Sequence, residues 1–473
     1  KKMLKRQFLV RYLSYSLGTL FTVINLLLIT YYLNIFQFAV WGVANSLIYI
    51  FSQLSQLTYV QYVEKYFPNL TKDEMNNYLY KFLKTVFILT PFWFGVLSLL
   101  NYLEYFEKYN ADNLFILFLI ISITAIVEAS IEIVSKYFLA LNKTQIFDLN
   151  ELIIFKLLRL GVFYLLLVNL YSVYYLLLAN LILRFFLLVR VLNLDKIGVF
   201  KIASNIINAK IFVDNFNKLN YTIIAFLTKT CQVTFLNVIF IILTINSSNL
   251  EIAKYSLAIL IINNSKNVVA SLSSLLSPLI SKNIKKKIDN SKLIGFVLLI
   301  NSILISVLTL GVYFITEYRF VISIFLTQFD ADIYPIILLA FFSSTIITLY
   351  LPAFFNIMFS DNEKKLFLII STNFILCSFI FYFLNLNFSF SLIYMYIIFE
   401  AIIFLFTRFY FNLLRDQEKL FTFSLSFIAV VILIVLKFLG VSLSVVYFAP
   451  FFVVTFYFDL RNINNLYKDF QNV

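Results

Sequence analysis

The chain has 473 residues, 62% of them hydrophobic, with a mean hydropathy of +0.92 and a formal net charge of +13. No soluble domain of this length is so apolar, so the charge reads as a membrane-orientation signal and not as a nucleic-acid footprint. Histidine is absent, which removes the commonest neutral-pH proton carrier and metal ligand; with no Walker loop and no Cys/His cluster, neither ATP hydrolysis, a metal nor another cofactor is expected on this chain.

In chain order, the basic opening Lys1-Lys2-Met3-Leu4-Lys5-Arg6 runs into a long apolar stretch with no small-residue cleavage site. It reads as a first transmembrane helix and not as a signal peptide. Hydropathy predicts about fourteen spans, at 8–30, 38–62, 79–100, 112–140, 149–168, 172–192, 220–245, 251–280, 292–316, 333–359, 366–385, 391–413, 419–437 and 441–460. Several exceed the roughly 20 residues that cross the hydrocarbon, which predicts tilt or extension beyond it. Cys231 and Cys377 both fall inside spans, where a structural role without a disulfide is expected. The longest polar interval, 193–219, is amphipathic: Ile197, Phe200, Ile206, Ile207, Ile211 and Phe212 alternate with Lys196, Lys201 and Lys210. It is expected to lie along the inner membrane face as a linker.

The linker separates two similar halves. In the first, a long polar-flecked span leads to Pro68 and the charged loop Lys72-Asp73-Glu74. In the second, a similar span leads to Pro278 and a basic loop with Lys282, Lys285, Lys286 and Lys287, at an offset of about 210 residues. Asn142-Lys143-Thr144 and Asp361-Asn362-Glu363-Lys364-Lys365 break later spans at a similar offset. Six spans followed by six at a constant offset is the pattern of a duplicated transporter, and the even count makes the repeats parallel. The expected fold is an all-α polytopic membrane protein. Its two six-helix lobes, 1–192 and 220–413, are related by a pseudo-twofold along the membrane normal, and 414–473 adds a helix pair and a tail.

All but four of the 37 Lys and Arg residues fall on or near one side of this layout, the exceptions being Lys108, Lys254, Arg319 and Lys437. The excess of basic residues in cytoplasmic loops then puts both termini in the cytoplasm. The longest outer loops, near 101–111 and 317–332, leave no outer domain for catalysis, so function is expected in what the helices enclose.

Leu33-Asn34-Ile35-Phe36-Gln37-Phe38-Ala39-Val40-Trp41 resembles the segment between the first two helices of polysaccharide exporters, with Phe38 and Trp41 matching the aromatics and Ala39 replacing a Gly. Glu64-Lys65-Tyr66-Phe67-Pro68 resembles the end of that family's second helix, and Ala140-Leu141-Asn142-Lys143-Thr144 its short loop after the fourth. The Asp-x-Gly often found in the second helix is missing; Gln56-Leu57-Thr58 stands nearby. The resemblance is to the O-antigen and teichoic-acid flippases of the multidrug/oligosaccharidyl-lipid/polysaccharide exporter superfamily. It implies a bacterial inner-membrane protein that flips isoprenoid (undecaprenyl) diphosphate-linked oligosaccharides to the outer leaflet by rocking two lobes around a central cavity. The implied partners are that lipid, the surrounding membrane lipids, and polysaccharide polymerase and chain-length machinery, with no nucleic acid.

Ionisable groups at membrane depth are costly and tend to face a cavity or a partner. Glu128 and Glu132 are four residues apart in the fourth span and share a face, which Lys136 continues. Arg159 follows Lys156 in the fifth span and Arg184 is mid-span in the sixth. The second half carries Lys229, Lys266 and Glu400, with Arg408 eight residues beyond the last. Read functionally, Arg159, Arg184, Lys229 and Lys266 receive a diphosphate, and Glu128, Glu132 and Glu400 couple transport to H+ or Na+. Read structurally, the same residues are interhelical ion pairs or snorkel to the inner interface. Asn25, Gln53 and Asn263, with Asn45, Gln56, Gln61, Asn264, Asn267, Gln232 and Asn237, offer donors and acceptors to sugar hydroxyls or to neighbouring helices.

The leading reading is a transporter, not an enzyme, that flips a lipid-linked repeat unit for O-antigen, capsule or another surface polysaccharide. A cation-coupled multidrug exporter of the same fold is the second; its usually cationic substrates fit poorly with more Arg and Lys than acid. A membrane polymerase or ligase is the third, and it lacks the sizeable outer loop such enzymes present.

Overall fold

The computed structural model describes residues 2–103, 106, 114–141, 143–170, 172–194, 216–245, 247–286, 290–318, 323–324, 326–329, 333–347, 350–359, 363–383, 391–413, 431–434, 452–459 and 461. They are almost wholly helical, and no strand occurs among them. The helices are α1 (Lys2–Tyr32), α2 (Ile35–Ser55), α3 (Tyr59–Tyr66), α4 (Lys72–Ile88), α5 (Thr90–Tyr102), α6 (Leu114–Ala140), α7 (Thr144–Asp148), α8 (Lys156–Leu170) and α9 (Val173–Leu194). After the linker come α10 (Phe216–Thr244), α11 (Asn249–Lys285), α12 (Ser291–Tyr318), α13 (Ile333–Ile346), α14 (Leu351–Phe359), α15 (Glu363–Phe383) and α16 (Ser391–Leu413). A π-helical turn, Leu149–Phe155, joins α7 to α8.

Among the described residues, six helical segments are long and apolar enough to cross a membrane by length and composition, one of them running through α4 and α5, or seven if α10, bent by 50° between Gln232 and Thr234, counts as one span. The protein is therefore a multi-pass membrane protein. The first twelve predicted spans all coincide with helical segments. The thirteenth and fourteenth lie mostly outside the described residues, as do 195–215 of the predicted linker. Of those last two spans, Leu433, Ile434 and Phe452 form a cluster with Tyr313 of α12 and Leu338 of α13.

Local chemistry explains the starts and breaks. Asn34 caps α2 by accepting from the Gln37 N–H at 2.8 Å. Thr71 and Glu74 close a reciprocal capping box at the start of α4, and Ser248 and Glu251 exchange the same bonds at the start of α11. Pro91, in the first turn of α5, has no N–H to continue the ladder of α4, and the predicted span 79–100 breaks at Leu89. The span 38–62 breaks between α2 and α3 at Leu57, whose φ of 48° is in the left-handed region that a leucine side chain disfavours. Trp93 braces that break: its Nε1 donates to Ser55 Oγ at 2.6 Å and its ring stacks on Phe51 at 4.4 Å.

Two glycines mark close helix crossings. A Cβ on Gly18 of α1 would stand 2.8 Å from the Leu152 carbonyl oxygen in the π turn. A Cβ on Gly42 of α2 would stand 1.8 Å from Ser256 Oγ and 2.3 Å from Ser256 Cβ on α11. Small residues at such crossings let backbones approach where lipid supplies no hydrophobic drive.

By packing, the chain forms two compact units: Lys1–Ile259 with Glu363–Leu392, and Leu260–Asn362 with Ile393–Val473. In the first, α6 is central and contacts α2, α3, α4, α5 and α9; α1 packs on α8 and the π turn, and α10 on α2 and α15. In the second, α12 packs against α13 and α14.

Candidate functional site

In the first unit, a line of charges runs along α6. From Ile120 to Ala140, α6 is buried except at Ile123, Glu128, Glu132, Ser135 and Lys136. The last four lie on one stripe, since residues three and four apart share a helical face. Apart from Ile123, neighbouring helices cover the rest of α6 over this length, so its charged stripe is also its open one.

Each charge on the stripe meets a different element. Glu128 Oε1 is 2.6 Å from Arg184 Nε of α9, while Arg184 Nη1 donates to Glu151 Oε1 of the π turn at 3.4 Å. The Arg184 guanidinium also lies over the Phe155 ring, 4.4 Å from its centroid. One turn on, Glu132 Oε1 accepts from Lys229 Nζ of α10 at 2.9 Å. Its other oxygen accepts from Gln53 Nε2 at 3.1 Å and Gln56 Nε2 at 2.6 Å, both from the end of α2. A further turn on, Lys136 Nζ is 2.5 Å from Glu64 Oε1 of α3.

These pairs are not equivalent. The Glu64 side chain is 4% exposed and Lys136 16%, so that pair is sealed into the packing. Glu132 and Lys229 are 30% and 22% exposed, Glu132 on the open stripe and Lys229 meeting it from α10. On α10, Lys229 lies on the opposite side from the exposed Leu227, in line with the buried Ala225, Gln232 and Leu236. Its accessible part therefore faces away from the apolar outer surface of that helix.

Around Arg184 the charges do not cancel. Arg159 and Lys156 of α8 act on the same neighbourhood, which makes three cations against Glu128 and Glu151. Arg159 is the residue left over. Its guanidinium rests on the Phe163 ring at 4.9 Å, its Nε is buried without a hydrogen-bond partner, and no carboxylate among the described residues forms an ion pair with it. Arg190, nearer the end of α9, donates from Nε to Asn150 Oδ1 at 2.7 Å.

The second unit holds a smaller polar centre. Glu400 of α16 is fully buried and accepts a hydrogen bond from Tyr350 Oη at the head of α14. Lys266 of α11 and Tyr396 of α16 act on the same carboxylate.

The structure thus joins Glu128 to Arg184, and Glu132 to Lys229 and Gln53, and it sets Glu400 within electrostatic reach of Lys266. It leaves Asn25 and Asn263 apart from these groups. Asn25 is buried, with no partner for Oδ1, and Asn263 is half-buried in α11. Bonds to the preceding turn take up other polar residues: Asn45 and Asn264 donate to carbonyls one turn back in their own helices. The Arg408 and Asn267 side chains lie outside the described residues, as does Asn142. Sequence reasoning did not single out Glu64, Glu151 or Tyr350 as members of these clusters. Glu64 and Glu151 carried a usable signal: each is an acid close to a span end in a chain where acids are scarce and each cation needs a partner.

No protein-family model matches the chain, and no curated protein sequence is significantly similar to it. Solved structures are similar in fold. A chain named only "protein A" superposes with a TM-score of 0.64 at 13% identity, covering 89% of this chain and 97% of that one. A MATE in complex with MaD3S gives 0.57 at 9% identity, over 88% and 97%. The eukaryotic MATE transporter AtDTX14 gives 0.53 at 11% identity, over 88% and 97%. At these identities the likeness is one of fold: the chain has the all-helical MATE fold along most of its length.

Proposed function

We propose that the protein is a membrane transporter that flips an isoprenoid diphosphate-linked oligosaccharide from the inner to the outer leaflet by alternating access. The observation that carries this reading is the cation surplus around Arg159. A half-buried guanidinium whose Nε has no hydrogen-bond partner, beside Arg184 and Lys156, is poised for an anion with several oxygens. Arg159 supplies the fork for the phosphate oxygens. Arg184, held between Glu128 and Glu151 and stacked on Phe155, fixes the local field. The MATE fold itself favours the multidrug-exporter reading; the surplus of cations over carboxylates argues against the cationic cargo expected of it. Glu128, Glu132 and Glu400 are the carboxylates through which H+ or Na+ couples to the cycle. The membrane is the bacterial cytoplasmic membrane, with both termini inside.

The test is flipping of a fluorescent lipid-linked oligosaccharide in reconstituted vesicles. Charged hydrogen bonds of about 1.5–3 kcal/mol each put the loss for Arg159→Ala at roughly ten- to a hundredfold, with Arg159→Lys between it and the parent. A folded Arg159→Ala protein that flips at the parent rate refutes the assignment. For coupling, Gln at 128, 132 and 400 in turn should yield at least one variant that no longer responds to imposed proton or sodium gradients. Three variants that respond normally would remove these carboxylates from the cycle.

A further inference from the structure

We propose that Glu132 is a built-in stand-in for the substrate's diphosphate: it occupies Lys229 when the site is empty and competes with the phosphate for that lysine when it fills. This rests on the flippase reading and extends it to Lys229, a cation the Arg159 cluster does not include.

The geometry makes this contact detachable. Lys229 reaches from α10 to Glu132 on the open stripe of α6 by a single bond of 2.9 Å from a flexible four-carbon stem, and both side chains are partly accessible. When Lys229 leaves, the carboxylate is not stranded. Its second oxygen keeps the amide donors of Gln53 and Gln56, and Lys136 lies one turn along the same face. The groups acting on Lys229 are Glu132 and the more distant Glu64, and Glu64 is already bound to Lys136. The other pairs lack this freedom: Arg184 has two carboxylates and an aromatic ring, and Glu64 is sealed in with Lys136. A diphosphate brings more charge and more acceptor oxygens than one carboxylate, so it displaces Glu132 at the cost of the pair it breaks. The stand-in lowers affinity for the empty-state protein and speeds release.

The test is binding of farnesyl diphosphate, a soluble isoprenoid diphosphate, to the full-length protein in detergent. Four proteins are compared: the parent, Glu132→Gln, Lys229→Gln and the double variant, each checked for monodispersity. Glu132→Gln removes the competitor and keeps a polar group for Gln53 and Gln56, so it is expected to bind on the order of tenfold more tightly. Lys229→Gln should bind more weakly, and adding Glu132→Gln to it should bring no gain. In transport, Glu132→Gln should lower KM and kcat together, the pattern of slow release. Equal or weaker binding by Glu132→Gln, or a gain that persists without Lys229, overturns the proposal while leaving the flippase reading standing. Failure of all four proteins to bind the probe overturns both.

Discussion

Lys136→Met tests the sealed end of the charge stripe. The substitution keeps a long unbranched side chain and deletes the ammonium 2.5 Å from Glu64 Oε1. Glu64 is then a carboxylate at 4% exposure without its counter-ion. Removing one partner of a buried pair costs about 3–5 kcal/mol. The attraction of Lys229 for Glu64 and the 16% exposure on the Lys136 side put this case at the lower end, about 3 kcal/mol. Glu64→Gln should cost less, about 1–2 kcal/mol, because the lysine left behind is the more exposed partner and still faces Glu132 one turn away. The double variant removes both charges and should recover most of the loss. Unfolding in mixed SDS and mild-detergent micelles measures this, read by the fluorescence of Trp41 and Trp93, the chain's two tryptophans. Trp93 packs against the end of α2, next to the break from which α3 carries Glu64. The reasoning fails if Lys136→Met is as stable as the parent, or if the double variant is no better than the worse single.

Further outcomes are expected under the same unfolding assay. Gly42→Ala drives a Cβ into Ser256 and should cost about 1–3 kcal/mol despite the gain in helix propensity; Gly42→Ala with Ser256→Gly leaves only the Ser256 Cα position, 3.3 Å away, and should recover most of it. Leu57→Gly relieves a left-handed residue and should be neutral to about 1 kcal/mol stabilising, whereas the β-branched Leu57→Val should destabilise; the reverse order would show that the break is not strained. Tyr350→Phe removes the donor to fully buried Glu400 and should cost about 1.5–3 kcal/mol; no change in stability would mean another donor replaces it.

Hydropathy was enough to find α6, α9 and α12, because length and apolar content are what a bilayer demands. It was blind to the broken spans. Nothing in the apolar count separates Leu57, with φ at 48°, from a leucine within a helix, although Pro91 did carry a legible break signal. The i, i+4 spacing of Glu128 and Glu132 correctly put both on one face, but which cation each meets depends on the rotation and tilt of α9 and α10, which hydropathy does not encode. The sequence therefore offered two neighbouring carboxylates on one face without their partners. The folded chain gives each its own counter-charge, Arg184 and Lys229. The π turn was likewise invisible: Asn150 and Glu151 look like ordinary polar residues at a span end, yet they face Arg190 and Arg184.

The crossing of Gly42 with Ser256 bears on how such a chain arose. Gly42 is the eighth residue after the cap of α2 at Asn34, and Ser256 the eighth after the cap of α11 at Ser248. In the duplication expected from the sequence, these would be equivalent positions of the two repeats. In an unduplicated ancestor assembled as a symmetric pair, that single position would have met its own copy, and any side chain there would have entered the contact twice. Gene fusion would lift that constraint. One copy is free to acquire a hydroxymethyl group as long as the other remains bare, and a glycine facing a serine is the asymmetry this permits.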